Sequence, residues 1–184
     1  MEYNEKHFQR LANKSAMTVW LVINTVLTIA YAIEVSKGAK TMPFFIVMLV
    51  LCWLPVLIGF VVLKVKGMHT WIYREVVAVG YGIFFAYTLF TAETAITFSY
   101  VLPVTGMLIL YKNRGLLIRV EIANIIVLII NLIRIYATGQ ETYRTMADFE
   151  VQLACTIMCY MGYLKSMKYI KLSEESMLGP LRPI

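Results

Sequence analysis

The residues best placed to do chemistry are polar and ionisable side chains that interrupt the apolar run 116–136. When this run is drawn as a helix, four of them fall within an arc of about 140°: Glu121, Asn124, Asn131 and Arg134. Ionisable residues inside an apolar run are costly and by default mark a functional site. The face is therefore a candidate for recognising a polar ligand. Two interpretations of Glu121 stay open: it pairs locally with Arg119 or Lys112, or it couples helix movement to one end of the run.

The sequence lacks the residue patterns that a metal site or a phosphate-binding loop would need. Cys155 and Cys159 are four apart on one helix face, but Cys52 is the only further cysteine, so no metal site is expected. His7 and His69 show no HExxH or other two-histidine ligand spacing. Neither a GxxxxGK[ST] nor a GxGxxG sequence occurs, so no phosphate-binding loop is expected. We expect no cofactor and no enzymatic activity.

Composition indicates the broad class of protein. Hydrophobic residues make up 60% of the 184 residues, charged residues 15%, and the mean hydropathy is +0.71. An average soluble domain has roughly 45–50% apolar and about 25% charged residues. One soluble domain could not bury this much apolar surface, which predicts an integral membrane protein. The net charge of +6 comes from small basic groups between apolar runs, so nucleic acid is not an expected partner.

Six apolar runs have about the length that crosses a bilayer as a helix, which predicts an all-α bundle of six transmembrane helices. Thirteen of the 17 Lys and Arg residues lie on one side of these runs, so both termini are predicted to be cytoplasmic. The N-terminal tail is 1–15 and the C-terminal tail 166–184. Together the helices form one domain, 16–165, with spans at 16–35, 43–63, 74–92, 95–111, 116–136 and 148–165.

Polar residues on the inner faces predict a polar cavity open toward the outer leaflet. The first run carries Asn24 and Thr28 on the same face as Tyr31. The candidate cavity residues are Tyr31, Glu34, Tyr87, Glu93, Asn131, Arg134, Glu150 and Gln152. Arg134 could pair with Asp148 or Glu150. Alternatively, the charges lie at the interface and reach water, while the polar faces pack helices.

Three residues are candidates for coupling helix movements. They are Pro55, Pro103 and Glu121. Both prolines are predicted inside helices, where the missing N–H favours a kink that serves as a hinge or a static bend.

Five segments in order resemble the six-span N-terminal membrane region of clostridia-type methyl-accepting chemotaxis proteins. They are "WLVINTVLTIAYAIEVSKG", "CWLPVLIGFVVLKVKGM", "VVAVGYGIFF", "YVLPVTGMLILYKNRGLLIR" and "FEVQLACTIMCYMGY". Similar modules precede diguanylate cyclase or histidine kinase outputs. The resemblance implies a sensory input module in a bacterial cell membrane, a homodimer in the lipid bilayer, and a cytoplasmic signalling domain or partner. It carries over no ligand-binding residue.

The chain departs from that family after the sixth run. It continues as "KYIKLSEESMLGPLRPI", where Gly179, Pro180 and Pro183 are expected to stop a helix. We therefore expect that the output domain is missing, and that the chain is a truncated receptor or a free-standing bundle that uses a partner. A small six-span transporter or channel is the alternative from another functional class, and a membrane scaffold without a ligand is a third.

Overall fold

The computed structural model describes residues 2–178, with side chains described for residues 5–173. Helices account for 86% of the residues and no strand occurs in the described range, which confirms the all-α prediction. The α-helices are α1 (Glu2–Ser36), α2 (Met42–Lys66), α3 (Ile72–Phe90), α4 (Val101–Met107), α5 (Arg114–Ala137) and α6 (Thr145–Leu178). Two 3-10 helices, Ala95–Tyr100 and Leu108–Tyr111, flank α4.

Three helices in the described range are long and apolar enough to cross a membrane. These are α1 from Glu5 to Ser36, α2 and α5. The outer surface of α2 is apolar, since Val50, Leu57 and Val61 are all at least half exposed. An exposed apolar surface of this kind favours contact with lipid over contact with water. These helices indicate a membrane protein.

The two terminal helices are longer than the apolar runs that predict them. The first begins at Glu2 where the apolar run begins at 16, and α6 continues to Leu178 where the run ends at 165. Lys, Glu and Gln have high helix propensity, so the backbone stays helical where the side chains become polar. Gly179, Pro180 and Pro183, the expected helix stops, lie outside the described residues, as does the end of the 166–184 tail.

The run 95–111 is not one continuous α-helix. Its backbone changes from a 3-10 helix to α4 and back to a 3-10 helix. Pro103 lies in the first turn of α4 and its side chain is exposed. The prediction of a proline in the middle of an α-helix is therefore wrong at this position. A proline is tolerated in a first helical turn because N–H groups there have no α-helical acceptor.

The chain forms two compact units, Met1–Met107 and Leu108–Ile184. In the first unit, α2 packs on both α1 and α3. The face of α1 toward this core includes Ala16, Trp20, Asn24, Leu27 and Tyr31, spaced three or four residues apart. Near the start of α1, the buried Asn13 donates its Nδ2 to the carbonyl oxygens of Met68 and Thr70, both at 2.9 Å, which fixes the α2–α3 connection.

Two glycines let α2 and α3 approach closely. A Cβ at Gly59 would lie 2.8 Å from Cε2 of Tyr73, and a Cβ at Gly80 would collide with Cβ of Pro55. Small residues at such contacts are the usual way in which membrane helices gain van der Waals packing. Pro55 therefore lies against the backbone of α3.

The second unit is a helical hairpin. Helix α5 packs on α6, and both contact the 3-10 helix Leu108–Tyr111. The buried residues of α5 include a run spaced alternately four and three residues apart: Leu117, Glu121, Asn124, Leu128 and Asn131. The buried residues of α6 include Thr145, Gln152, Thr156 and Met167.

Replacing Gly80 by alanine should destabilise the first unit by about 1–3 kcal/mol, because a new methyl group must displace Pro55. Gly82 is the matched control, since a Cβ there meets no atom within 4 Å. Gly82→Ala should be neutral or slightly stabilising, as expected for a helical glycine without a contact. Thermal unfolding of both variants in detergent measures the difference. Equal melting temperatures would contradict the close contact.

Candidate functional site

The turn before Pro55 receives a side-chain hydrogen bond from another helix. A proline has no N–H to give to the preceding turn, and its ring pushes that turn open. Asn24 of α1 donates its Nδ2 to the carbonyl oxygen of Cys52, three residues before Pro55, at 2.7 Å. One residue further along α2, Trp53 donates its Nε1 to Oγ1 of Thr28 at 3.0 Å. Asn24 and Thr28 therefore both bind the disrupted turn of α2.

The turn before Pro103 is held in the same way. In a 3-10 helix the acceptor for residue 103 would be the carbonyl of Tyr100, and proline cannot supply that donor. The buried Tyr81 of α3 donates its hydroxyl to this carbonyl at 2.6 Å. Each of the two proline turns thus has a donor from a different helix, and these donors connect α1 to α2 and α3 to the segment before α4.

An aromatic cluster surrounds Phe44 near the start of α2. The Phe44 ring lies 5.5 Å from the ring of Tyr31 and 5.5 Å from that of Tyr87, with which it stacks at 20°. The hydroxyl of Tyr87 donates to the Phe44 carbonyl at 3.4 Å. Tyr31 also interacts electrostatically with Tyr100. Two predicted cavity residues, Tyr31 and Tyr87, are therefore brought together around one ring.

The two acidic candidates of the first unit form ion pairs at its surface. Lys40 donates to Oε1 of Glu93 at 2.6 Å and to the carbonyl of Thr91 at 2.9 Å. Its Nζ also lies 5.2 Å from the centre of the Phe44 ring. The Lys40 side chain is 17% exposed and that of Glu93 70% exposed. Glu34 is half-exposed and lies 3.9 Å from Lys37. Both carboxylates reach water, as expected for charges at an interface.

The four candidate cavity residues of the second unit include both exposed and buried side chains. Arg134 donates its Nε to Oδ1 of Asn131 at 3.3 Å and its Nη1 to Oε1 of Gln140 at 3.4 Å. No ion pair joins Arg134 to Asp148 or Glu150 within the described part of the chain. The side chain of Glu150 is exposed. Asn131 is buried.

Gln152 is also buried, on α6. A cavity lined by all eight candidates stays a prediction, because four of them belong to each unit.

Glu121 is the ionisable candidate with the most unusual surroundings. Its side chain is buried, and its Oε1 has no hydrogen-bond partner. None of the ion pairs described above joins Glu121 to Arg119 or Lys112, and the local pairing considered from the sequence stays a prediction.

Several contacts at the site could not be read from the sequence. Lys40, Phe44, Tyr81 and Tyr100 were not predicted to take part. Their bonds depend on which helices are neighbours. The available signal was the pair of prolines, since each needs a donor for a neighbouring carbonyl. The arrangement offers polar and aromatic surfaces for recognition, and the described residues include no cluster of three His, Cys, Asp or Glu that could hold a metal ion.

Comparisons of the chain with protein-family models, curated proteins and solved structures found no match.

Replacing Asn24 by leucine should destabilise the protein by about 1–3 kcal/mol, because the Cys52 carbonyl loses its donor. In a Pro55→Ala background the same replacement should cost less, because without the proline ring the turn can close and the Val56 N–H can reach the Cys52 carbonyl. A double-mutant cycle measured by unfolding in detergent should show a coupling of at least about 0.5 kcal/mol. Thr25→Val is the control, since exposed Thr25 bonds only to Leu21 of its own helix. Additive effects of the two replacements would contradict the link.

Proposed function

We propose that the chain is a six-span membrane protein of a bacterial cell membrane, with both termini in the cytoplasm, and that it serves as the sensory input module of a signal-transduction receptor in chemotaxis. The observation that carries the proposal is the continuity of α6 from Thr145 to Leu178. Tyr31, Glu34, Tyr87, Glu93, Asn131, Arg134, Glu150 and Gln152 would recognise the stimulus, and Pro55, Pro103 and Glu121 would respond to it.

The length of α6 supports transmission out of the membrane. Its 34 residues extend about 51 Å at a rise of about 1.5 Å per residue. The predicted sixth span, 148–165, needs little more than half of this length. The remaining residues continue the same helix beyond the predicted inner boundary, where Lys165, Lys168 and Lys171 are exposed. A shift or rotation of the span would therefore reach the cytoplasmic side without passing through a loop.

The geometry of α6 also indicates what would surround the part of this helix that leaves the membrane. Exposed lysines just beyond a span favour the cytoplasmic leaflet, whose lipids are acidic. A dimer would place two copies of this helix side by side, which is the arrangement that a coiled-coil signalling domain requires. A cytoplasmic signalling domain, in the same chain or in a partner, would receive the signal.

A small transporter or channel is the second candidate. Glu121 favours it, because a buried carboxyl group in an apolar helix, here with Oε1 lacking a hydrogen-bond partner, is typical of ion and proton pathways. A transporter does not need its terminal helix to control another domain. The length of α6 beyond the predicted span therefore favours the sensory function over the transporter.

The predicted topology can be tested with reporter fusions. Alkaline phosphatase, which is active outside the cytoplasm, should be active when fused after Lys40 or Gln140. It should be inactive after Gly67 or Gly115, where a fluorescent protein should fold instead. The physical reason is the excess of Lys and Arg in the predicted cytoplasmic connections. External activity at Gly115 would rule out the six-span arrangement.

The sensory function can be tested by fusing the kinase-controlling domain of a chemotaxis receptor after Leu178. Inserting two residues at the junction should change kinase activity, because it turns the output helix by about 200°. Seven inserted residues should restore the original activity, since seven residues complete nearly two turns.

A flexible triglycine insertion is the control, and it should uncouple the two domains. If kinase activity is the same for every insertion, including triglycine, α6 does not control the output. That result would leave the transporter as the better proposal.

A further inference from the structure

Three atoms on α5 and α6 are among the buried polar atoms of the described residues that lack hydrogen-bond partners. They are Oε1 of Glu121, Nδ2 of Asn124 and Oγ1 of Thr156. Glu121 is 5% exposed, Asn124 4% and Thr156 2%. Leaving one such atom unsatisfied costs about 1–3 kcal/mol, and more when the group is charged. An arrangement with this cost needs an explanation beyond packing.

These atoms belong to one contact surface, the α5–α6 seam, formed by residues 117–131 of α5 and 152–167 of α6. Only seven residues separate α5 from α6, so the two packed helices must run antiparallel. Counting outward from the connection places Glu121 opposite Met161, between Tyr160 and Tyr163. Consistent with this register, Tyr160 and Tyr163 both interact electrostatically with Glu121. Glu121 therefore faces the tyrosine side of α6.

Nearby groups do not bind Oε1 of Glu121. Helix α5 packs on α6 and on the 3-10 helix that ends at Tyr111. The charged or titratable groups on these elements within about two helical turns of Glu121 or of the facing Met161 are Tyr111, Arg114, Arg119, Cys155, Cys159, Tyr160, Tyr163, Lys165 and Lys168. In the described range none of these forms a hydrogen bond with Oε1 of Glu121. This oxygen is therefore buried without a hydrogen-bonded counter-ion.

The small accessible area of Oε1 limits which ligands could neutralise the Glu121 carboxylate. Less than 1 Å² of Oε1 is accessible, so neither a water molecule nor a metal ion reaches this oxygen while the seam is packed. The described residues also include no group of three His, Cys, Asp or Glu side chains that could hold a metal ion. A proton needs no additional volume and removes the charge.

We propose that Glu121 is a proton-binding site, protonated while α5 and α6 are packed and able to release its proton only when the seam opens. Proton binding converts the carboxylate to a carboxylic acid with no other bond made or broken. Opening lets water reach Oε1 and stabilise the charged form. Proton release and separation of the helices are therefore one coupled step. The inference goes beyond the proposed sensory function and does not depend on it.

Infrared spectra of the full chain in lipid nanodiscs test the protonation state. At neutral pH the wild-type spectrum should contain the carbonyl stretch of a protonated carboxyl group, and Glu121→Gln should remove it. Glu34→Gln is the matched control, since half-exposed Glu34 lies beside Lys37 and should contribute a carboxylate band only. A wild-type spectrum without the protonated band, or with one that survives in the folded Glu121→Gln protein, would overturn the proposal.

The pH dependence of unfolding is an independent measurement. The folded chain would hold a proton that the unfolded chain releases above about pH 4.3, so stability should fall as the pH rises from there and should level off where the folded chain also releases the proton. Glu121→Gln keeps the shape of the neutral acid and should lose this pH dependence. Parallel melting curves for the two proteins across the pH range would contradict proton binding. If the variant does not fold, the wild-type infrared band and its loss at alkaline pH decide the question alone.

Discussion

The packing of the first unit depends on a simple constraint: a backbone carbonyl inside a bilayer must have a donor. Pro55 and Pro103 each remove one donor from their own segment. Asn24 supplies a donor to the Cys52 carbonyl and Tyr81 to the Tyr100 carbonyl. Because each donor comes from another helix, a local defect in one segment becomes a specific contact between two. The two bonds determine which faces of these helices meet.

Glycine placement makes this arrangement possible. The Asn24 amide reaches α2 on one side, while the Pro55 ring projects against α3 on the other, where Gly80 has no Cβ to oppose it. Helix α2 is thus held from both sides at one turn. Lipid gives no hydrophobic force between helices, so contacts of this kind supply the specificity that an apolar core supplies in a soluble protein.

The sequence predicted the helices better than their contacts. The predicted runs 43–63 and 116–136 lie within α2 and α5, since apolar length alone indicates where such helices are. Composition could not show that 95–111 changes between 3-10 and α geometry, nor that α6 continues past 165. It also could not identify Tyr81, because the choice of tyrosine depends on which helix lies beside Tyr100. Glu121 was recognisable as an exception, although its lack of a partner was not.

The two units use buried polar groups in different ways. Asn13 and Asn24 each leave Oδ1 without a partner, but both donate Nδ2 to a carbonyl of another segment, so their burial stabilises the packed state. Glu121 and Asn124 make no such bond. Their burial costs free energy, and that cost is recovered when water enters. The buried polar groups therefore help to hold the first unit together, whereas Oε1 of Glu121 and Nδ2 of Asn124 offset part of the stability that apolar packing gives the α5–α6 hairpin.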